Sequence, residues 1–255
     1  MDLSETFTPF LKELTDASAQ IIRRYFLQDS LQVETKGDQT PVTLADRESE
    51  EIMRKMINDR FPEHGIVGEE YGTEGGDREF VWVLDPVDGT RTFAAGVPLF
   101  GTLICLKHNG QPILGAINQP ILNQLLIGNG ETTWLNDKPV RVRPAPALEK
   151  SVLLTTDTRR FEKIKDGQRW DKLAKSVELY RTWGDCYGYL LVATGWADIM
   201  VDPIVAEWDF FPMIPIIRGA GGVITDYEGR DPVKGNSVIA AHPDLHQKVL
   251  GILHG

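Results

Sequence analysis

Two aspartates three residues apart, in Asp85-Pro86-Val87-Asp88-Gly89-Thr90, are the residues of this chain whose types and spacing promise chemistry. They follow Val81-Trp82-Val83-Leu84, a run of β-branched, aromatic and apolar side chains that reads as a buried strand. Pro86 has no N–H to give to a neighbouring strand, so the strand is expected to stop at Asp85. A turn at that point swings both carboxylates to one side. Gly89 lets a ligand approach the backbone, and the next amides can face an anion. Such a place can hold hard cations on its carboxylates and a phosphate on its amides. Asp-Pro-x-Asp-Gly is equally good as a plain turn. The choice depends on what the rest of the chain brings to it.

The elements around this stretch are legible from periodicity. Leu3, Phe7, Phe10, Leu11, Leu14, Ile21, Ile22 and Tyr25 recur at helical spacing and predict a long amphipathic first helix. Thr43 and Asp46 form a capping pair that opens a second helix, so Asp46 reads on its own as a first-turn carboxylate. Gly65-Ile66-Val67-Gly68 predicts a short strand ending in Glu69-Glu70. Phe100 to Lys107 and Ile113 to Asn118 are strands joined at Asn109-Gly110, and Leu125 to Gly128 and Thr132 to Leu135 repeat the pattern around Asn129-Gly130. The result is an antiparallel meander covered by the first two helices. Arg143-Pro144-Ala145-Pro146 reads as a linker dividing an α+β part, 1–143, from an α/β part, 147–255.

Beyond the linker, strand and helix signals alternate, which indicates a smaller layer with some parallel pairing. The helices are expected near Trp170–Ser176, near Tyr187–Thr194, from Asp209 to Arg218 and after Pro243; the strands at Val152–Thr155, Leu179–Thr182, Ile199–Val201 and Val223–Thr225. Asp209 follows Trp208 where a helix begins, so an N-cap is its plain explanation. Gly219-Ala220-Gly221-Gly222 lacks a following Gly-Lys-Ser/Thr and reads as close helix-to-strand packing. His242 and His246 are four apart but have no accompanying carboxylate motif and lie in a terminal surface helix. Cys186 has no histidine at a telling spacing.

Composition excludes several classes. Hydrophobic residues at 42% and charged residues at 25% argue against disorder. A net charge of −10 argues against nucleic acid as a partner, because phosphate backbones require clustered lysine and arginine. No apolar run approaches a membrane span, and the acidic start MDLSETFTPF shows no secretory signal. Two cysteines, Cys105 and Cys186, do not make a disulfide framework and fit a reducing cytoplasm.

Taken together, Gly68-Glu69-Glu70, Trp82-x-x-Asp85-Pro86-x-Asp88-Gly89-Thr90-x-x-Phe93, Trp208-Asp209 and Ala220-Gly221-Gly222 resemble, in order and spacing, the inositol monophosphatase family. The resemblance covers essentially the whole chain, and Thr40-Pro41-Val42-Thr43-x-x-Asp46 is similar to the family's mobile catalytic loop. It implies an αβαβα sandwich of the inositol monophosphatase and fructose-1,6-bisphosphatase type. It also implies a Mg²⁺-dependent, lithium-sensitive phosphatase, usually a homodimer, with Mn²⁺ as a substitute. By the same resemblance Glu69, Asp85, the Val87 carbonyl, Asp88 and Asp209 bind metal, and the Gly89 and Thr90 amides receive the phosphate. Glu69, Thr90, Asp46 and Thr43 serve catalysis, Thr90 helping to position the attacking water. Metal ions would also offset the repulsion between an acidic protein and a phosphate ester.

Trp183-Gly184-Asp185-Cys186-Tyr187-Gly188-Tyr189, Met200-Val201-Asp202-Pro203 and the Thr35-Lys36-x-Asp38 loop resemble the histidinol-phosphatase members of the family. On that resemblance Asp185 and Asp202 lie where the alcohol part of the substrate sits, and the substrate is a phosphorylated amino alcohol, histidinol phosphate. A polyol phosphate of the inositol type is the alternative, and an inactive metal-binding regulatory module is the remote one. Thr92, Phe210-Phe211-Pro212 and Arg218 depart from the family pattern, the first two close to the expected site.

Overall fold

The structure, a computed structural model, describes residues 3–28, 33–35, 41–164 and 167–255. The first half runs α1 (Leu3–Tyr25), β1 (Val33–Thr35), β2 (Pro41–Thr43), α2 (Leu44–Arg60), β3 (Gly65–Gly68), β4 (Gly72–Glu74), β5 (Phe80–Asp88) and α3 (Thr90–Ala94). It continues through β6 (Gly101–His108), β7 (Gln111–Gln119), β8 (Gln124–Gly128), β9 (Thr133–Leu135) and β10 (Lys138–Val140). The second half runs β11 (Val152–Leu154), α4 (Arg159–Ile164), α5 (Gly167–Lys175), β12 (Leu179–Arg181), α6 (Asp185–Ala193) and β13 (Ile199–Asp202). Then come α7 (Glu207–Phe210), α8 (Met213–Gly219), β14 (Val223–Thr225), β15 (Val238–Ala241) and α9 (Pro243–His254).

Among the described residues these strands make an eight-stranded sheet, β10-β9-β8-β7-β6-β5-β3-β4, and a five-stranded one, β12-β11-β13-β15-β14; β1 and β2 pair apart from both. The first sheet is the expected antiparallel meander, with one exception: β3 and β5 run parallel. Asn109 and Gly110 both take positive φ, 50° and 79°, as the two-residue hairpin turn between β6 and β7 requires. In the second sheet β11 pairs in parallel with β12 and β13, and β15 runs antiparallel to both β13 and β14.

Because successive strand residues point to opposite faces, each sheet buries two apolar layers. Trp82 and Leu84 of β5 pack with Phe7, Leu11 and Met53 of α1 and α2. Val81 and Val83 point the other way, into a core shared with Tyr189 and Leu190 of α6, Ile216 of α8, and Met200 and Ala240 of the second sheet. Ile199 and Ile239 face outward again, onto Trp170, Leu245 and Val249 of α5 and α9. Helix, sheet, helix, sheet, helix: the layers are the expected αβαβα sandwich. The middle core draws on residues from both sides of the Arg143–Pro146 run.

Three expectations need correction. β5 does not stop at Asp85; it continues to Asp88 through a bulge between those residues, where the missing N–H of Pro86 breaks no ladder bond and its carbonyl accepts a hydrogen bond from Thr102 Oγ1 (2.9 Å). The helix expected from Asp209 to Arg218 is two short helices meeting at Phe211-Pro212. His246 is buried rather than on the surface: Nε2 lies 2.9 Å from Thr225 Oγ1 and burial pushes the ring down to about 4, while His242 caps α9 by accepting from the Asp244 amide. Strand β15 went unread, although Val238-Ile239-Ala240-Ala241 is apolar. The expected loop segment Lys36–Thr40 lies outside the described residues. No helix among them is long and apolar enough to cross a membrane.

α8 lies almost on the backbone of the first sheet. A Cβ on Gly115 would come within 2.1 Å of the Pro212 carbonyl oxygen, and one on Gly128 within 2.4 Å of Ile216 Cα. Backbone cannot move aside as a side chain end can. Gly128→Ala should therefore lower unfolding stability by about 1–3 kcal/mol, as overpacking does, read by denaturant titration; an unchanged midpoint would mean that the helix can lift off the sheet freely.

Candidate active site

Each expected site residue is held by a local device that also has a structural purpose. Parallel pairing of β3 with β5 sets Gly68 opposite Leu84, and the Glu69 amide donates to the Leu84 carbonyl (3.2 Å). Glu69 thus leaves its strand beside Asp85. The turn that follows is fastened by Glu50, a fully buried carboxylate that accepts from the amides of Glu70 (2.8 Å) and Tyr71 (3.1 Å) and pairs with Arg54 (2.7 Å). Gly68 makes room for it, since a Cβ there would sit 2.0 Å from Glu50 Oε1. Asp85 accepts from the Val87 amide (3.0 Å) across the bulge, and Asp88 accepts a short hydrogen bond from the Cys186 amide at the start of α6.

Asp209 is not the expected N-cap: the helix begins two residues earlier, Ala206 is its N-cap, and Asp209, at the third helical position, reaches back to accept from the Ala206 amide (3.0 Å). Its carboxylate nevertheless reaches the strand end: one oxygen from each of Asp85, Asp88 and Asp209 lies within 4.8 Å of the others. Gly89 takes φ 86° and turns the chain into α3, so Thr90 stands at the first turn of that helix.

Asp46 is likewise both things at once. It completes the capping box of α2, with Oδ2 accepting from the Thr43 amide (2.8 Å) and hydroxyl (2.5 Å), and its Oδ1 lies 3.2 Å from Thr90 Oγ1. Thr43 and Asp46 therefore stand behind Thr90 and meet the site through it. The Thr90 hydroxyl has one proton to give, to Asp46 or to the Val87 carbonyl at 3.1 Å.

Glu69, Asp85, Asp88, Thr90, Asp185 and Asp209 line one cleft of about 470 Å³, with Asp202 in its wall. Asp185, beside Gly89, places Oδ2 3.3 Å from Thr92 Oγ1. Arg91, Arg159 and Arg160 also line the cleft, and the sequence reading missed them. The signal for Arg159 and Arg160 was the Asp157-Thr158-Arg159-Arg160 run soon after a strand, the usual place for site loops in α/β folds.

The electrostatics point in one direction. Burial raises Asp85 well above the usual carboxylate range, and Glu69, Asp88, Asp209 and Asp46 add to it; burial, then Asp185 and Asp209, do the same to Asp88. Burial raises Asp209 to about 7 and Asp185 to about 6. Two other buried carboxylates meet an arginine, Glu50 with Arg54 and Asp198 with Arg143. Among the described residues no lysine or arginine pairs with Asp85, Asp88 or Asp209. An all-oxygen, uncompensated cluster of this kind fits a hard divalent cation.

This sandwich, with clustered carboxylates at a bulged strand end and a Gly-Thr turn beside them, defines a class of metal-dependent phosphoric monoester hydrolases. A sequence profile of the inositol monophosphatase family matches residues 3–255, and the chain belongs to that family. It is 38% identical to the bifunctional phosphatase IMPL2, chloroplastic, of Arabidopsis thaliana, over 98% of this chain and 76% of the relative. It is 37% identical to a histidinol-phosphatase of Chlorobaculum parvum, over 94% of each. A solved inositol monophosphatase from Zymomonas mobilis superposes with a TM-score of 0.85, at 37% identity over 96% of each chain.

With a chelator present, the raised carboxylates make the folded protein bind more protons than the unfolded one, whose aspartates titrate near 4. The stabilisation that Asp209 protonation lends is complete below that value and lost as pH rises through about 7. Thermal unfolding of chelated protein should thus show Tm falling from about pH 5 to about pH 8, and millimolar divalent cation should remove the slope. A flat profile under chelation would mean that the chain itself compensates these charges.

Proposed function

We propose that the chain is a Mg²⁺-dependent histidinol-phosphatase, cleaving histidinol phosphate to histidinol and inorganic phosphate. The observation that supports the substrate reading is Asp185: a Cβ on Gly89 would lie 3.0 Å from its Oδ2, so a carboxylate stands beside the turn that, on this reading, receives the phosphate, within reach of the alcohol part of a bound ester. A carboxylate there makes a charge-assisted hydrogen bond to an ammonium group, which a neutral polyol does not offer. The histidinol-phosphatase relative from Chlorobaculum parvum, similar over 94% of this chain, supports the same choice. A cytoplasmic homodimer belongs to this reading, on the family resemblance and on two buried free thiols, Cys105 and Cys186.

Glu69, Asp85, Asp88, Asp209 and the Val87 carbonyl would hold the metal. When bound, divalent cations supply the positive charge that polarises the phosphate and makes water acidic enough to attack. The chain's own groups do the rest. When Thr90 gives its proton to Asp46, its oxygen is free to accept a hydrogen bond from water and to aim it. Burial raises the Asp46 carboxyl, which makes it the better acceptor behind that hydroxyl. The Gly89 and Thr90 amides would take phosphate oxygens at the left-handed turn.

Chelation should abolish turnover and added Mg²⁺ or Mn²⁺ restore it; undiminished activity in chelated enzyme would sink the metal reading. Asp85→Asn should fold and lower kcat at least about a hundredfold, as loss of a main charge-stabilising group does. For the substrate, Asp185→Asn keeps size and removes charge. It should cost about 2–3 kcal/mol on histidinol phosphate, roughly 30- to 150-fold in kcat/KM, and far less on an ester without an amine. Equal losses on both would return the substrate to the polyol class.

A further inference from the structure

Asp202 lies in the wall of the cleft, yet every acceptor position of its carboxylate is already taken. Oδ1 accepts from the Thr156 amide (2.9 Å) and the Thr155 hydroxyl (3.3 Å). Oδ2 accepts from the Thr156 hydroxyl (3.2 Å) and the buried Tyr189 phenol (3.0 Å). A carboxylate has about four lone-pair sites, so Asp202 has nothing left with which to bind a substrate.

What those bonds accomplish is visible one residue further on. With its proton committed to Asp202, Thr156 Oγ1 offers a lone pair to the Asp185 amide, which donates to it at 2.9 Å. Asp185 needs such a hold. Its φ is 48°, a left-handed conformation that a side chain disfavours by roughly 1–2 kcal/mol and that persists only where surroundings fix it. Gly184 brings the chain close enough: a Cβ there would lie 2.3 Å from Thr156 Cα. The left-handed turn is also what directs the Asp185 carboxylate across the cleft toward Thr92 and Gly89. Among the described residues no hydrogen bond engages its Oδ1.

We propose that Asp202 is a positioning residue that does not touch substrate. Through the Thr156 hydroxyl it locks the Asp185 backbone in its left-handed turn and thereby aims Asp185 at the substrate's amine. The amine clause rests on the function proposed above; the latch itself does not. Asp202 thus sets specificity at one remove.

The test uses Thr156→Val, which keeps shape and cuts the latch, Thr156→Ser, which restores it, and Asp185→Asn. Each is assayed on histidinol phosphate and on phenyl phosphate, which has no amine. Thr156→Val should raise KM for histidinol phosphate about tenfold relative to phenyl phosphate, with kcat within about twofold, and Thr156→Ser should return both. Combined with Asp185→Asn it should add little, because both changes remove one contact. A wild-type substrate ratio in Thr156→Val, where Asp185→Asn has lost it, overturns the proposal. If Asp185→Asn leaves the ratio unchanged, the amine reading has failed, and amide hydrogen exchange judges the latch alone. Exchange at the Asp185 amide should then quicken at least about tenfold in Thr156→Val and not in Thr156→Ser; unchanged exchange overturns it. Should Thr156→Val not fold, Tyr189→Phe loosens Asp202 from the other side and should move the same readouts in the same direction, and no movement overturns the latch.

Discussion

The structure is organised around a repulsion. Asp85, Asp88 and Asp209 bring carboxylate oxygens within 4.8 Å of one another in a buried place, with Glu69 close enough to raise Asp85 further. Left to themselves these groups would separate or stay protonated. Each is instead fixed by backbone: a parallel strand pairing for Glu69, a bulge for Asp85 and Asp88, a helix's first turn for Asp209. Arrangements of this kind place charge where a cation must go before it arrives. In a reaction as slow without help as phosphate-ester hydrolysis, such preorganisation is the larger part of catalysis.

The cost of holding those charges is met by breadth of packing. The middle core runs unbroken from the first sheet through α6 and α8 to the second sheet, so the strand end that carries Asp85 and the helix start that carries Asp185 belong to one packed body. The first sheet and the turn after it contribute most of the groups that would handle metal and phosphate, and Asp209 joins them from α7, between two strands of the second sheet. The second sheet and its connections contribute Asp185, which on the proposed reading meets the organic part, and Asp202 and Thr156, which hold Asp185 in place.

Capping and chemistry turn out to share residues. Asp46 and Asp209 each had a plain explanation at a helix start, and each stands at the third position of its helix, accepting from the amide of the capping residue, Thr43 or Ala206. The two readings are not rivals, because a cap fixes a carboxylate's backbone and one oxygen while the other oxygen stays free to act. Asp46 gives one oxygen to Thr43 and turns the other to Thr90. Thr92, a departure from the family pattern, contacts Asp185, and Phe211-Pro212 marks the break between α7 and α8.

Local chemistry made much of this protein legible in its residues. The first helices, the Asn-Gly hairpins and the parallel character of the second sheet follow from periodicity and turn residues, which act within a few positions of themselves. The motif residues from Glu69 to Asp209 were legible because their types and order recur together. What the sequence did not disclose depends on partners distant in the chain. That β5 carries on past Pro86 depends on β6 accepting a bulge; that His246 is buried depends on β14 lying beneath it. Arg159 and Arg160 line the cleft from the segment that follows β11. Asp202 was expected, by resemblance, where the alcohol part of the substrate sits, and four donors from Thr155, Thr156 and Tyr189 occupy its carboxylate. Hydrogen bonds are saturable and directional, so whether an acidic residue is available is decided by neighbours that only the folded chain brings near.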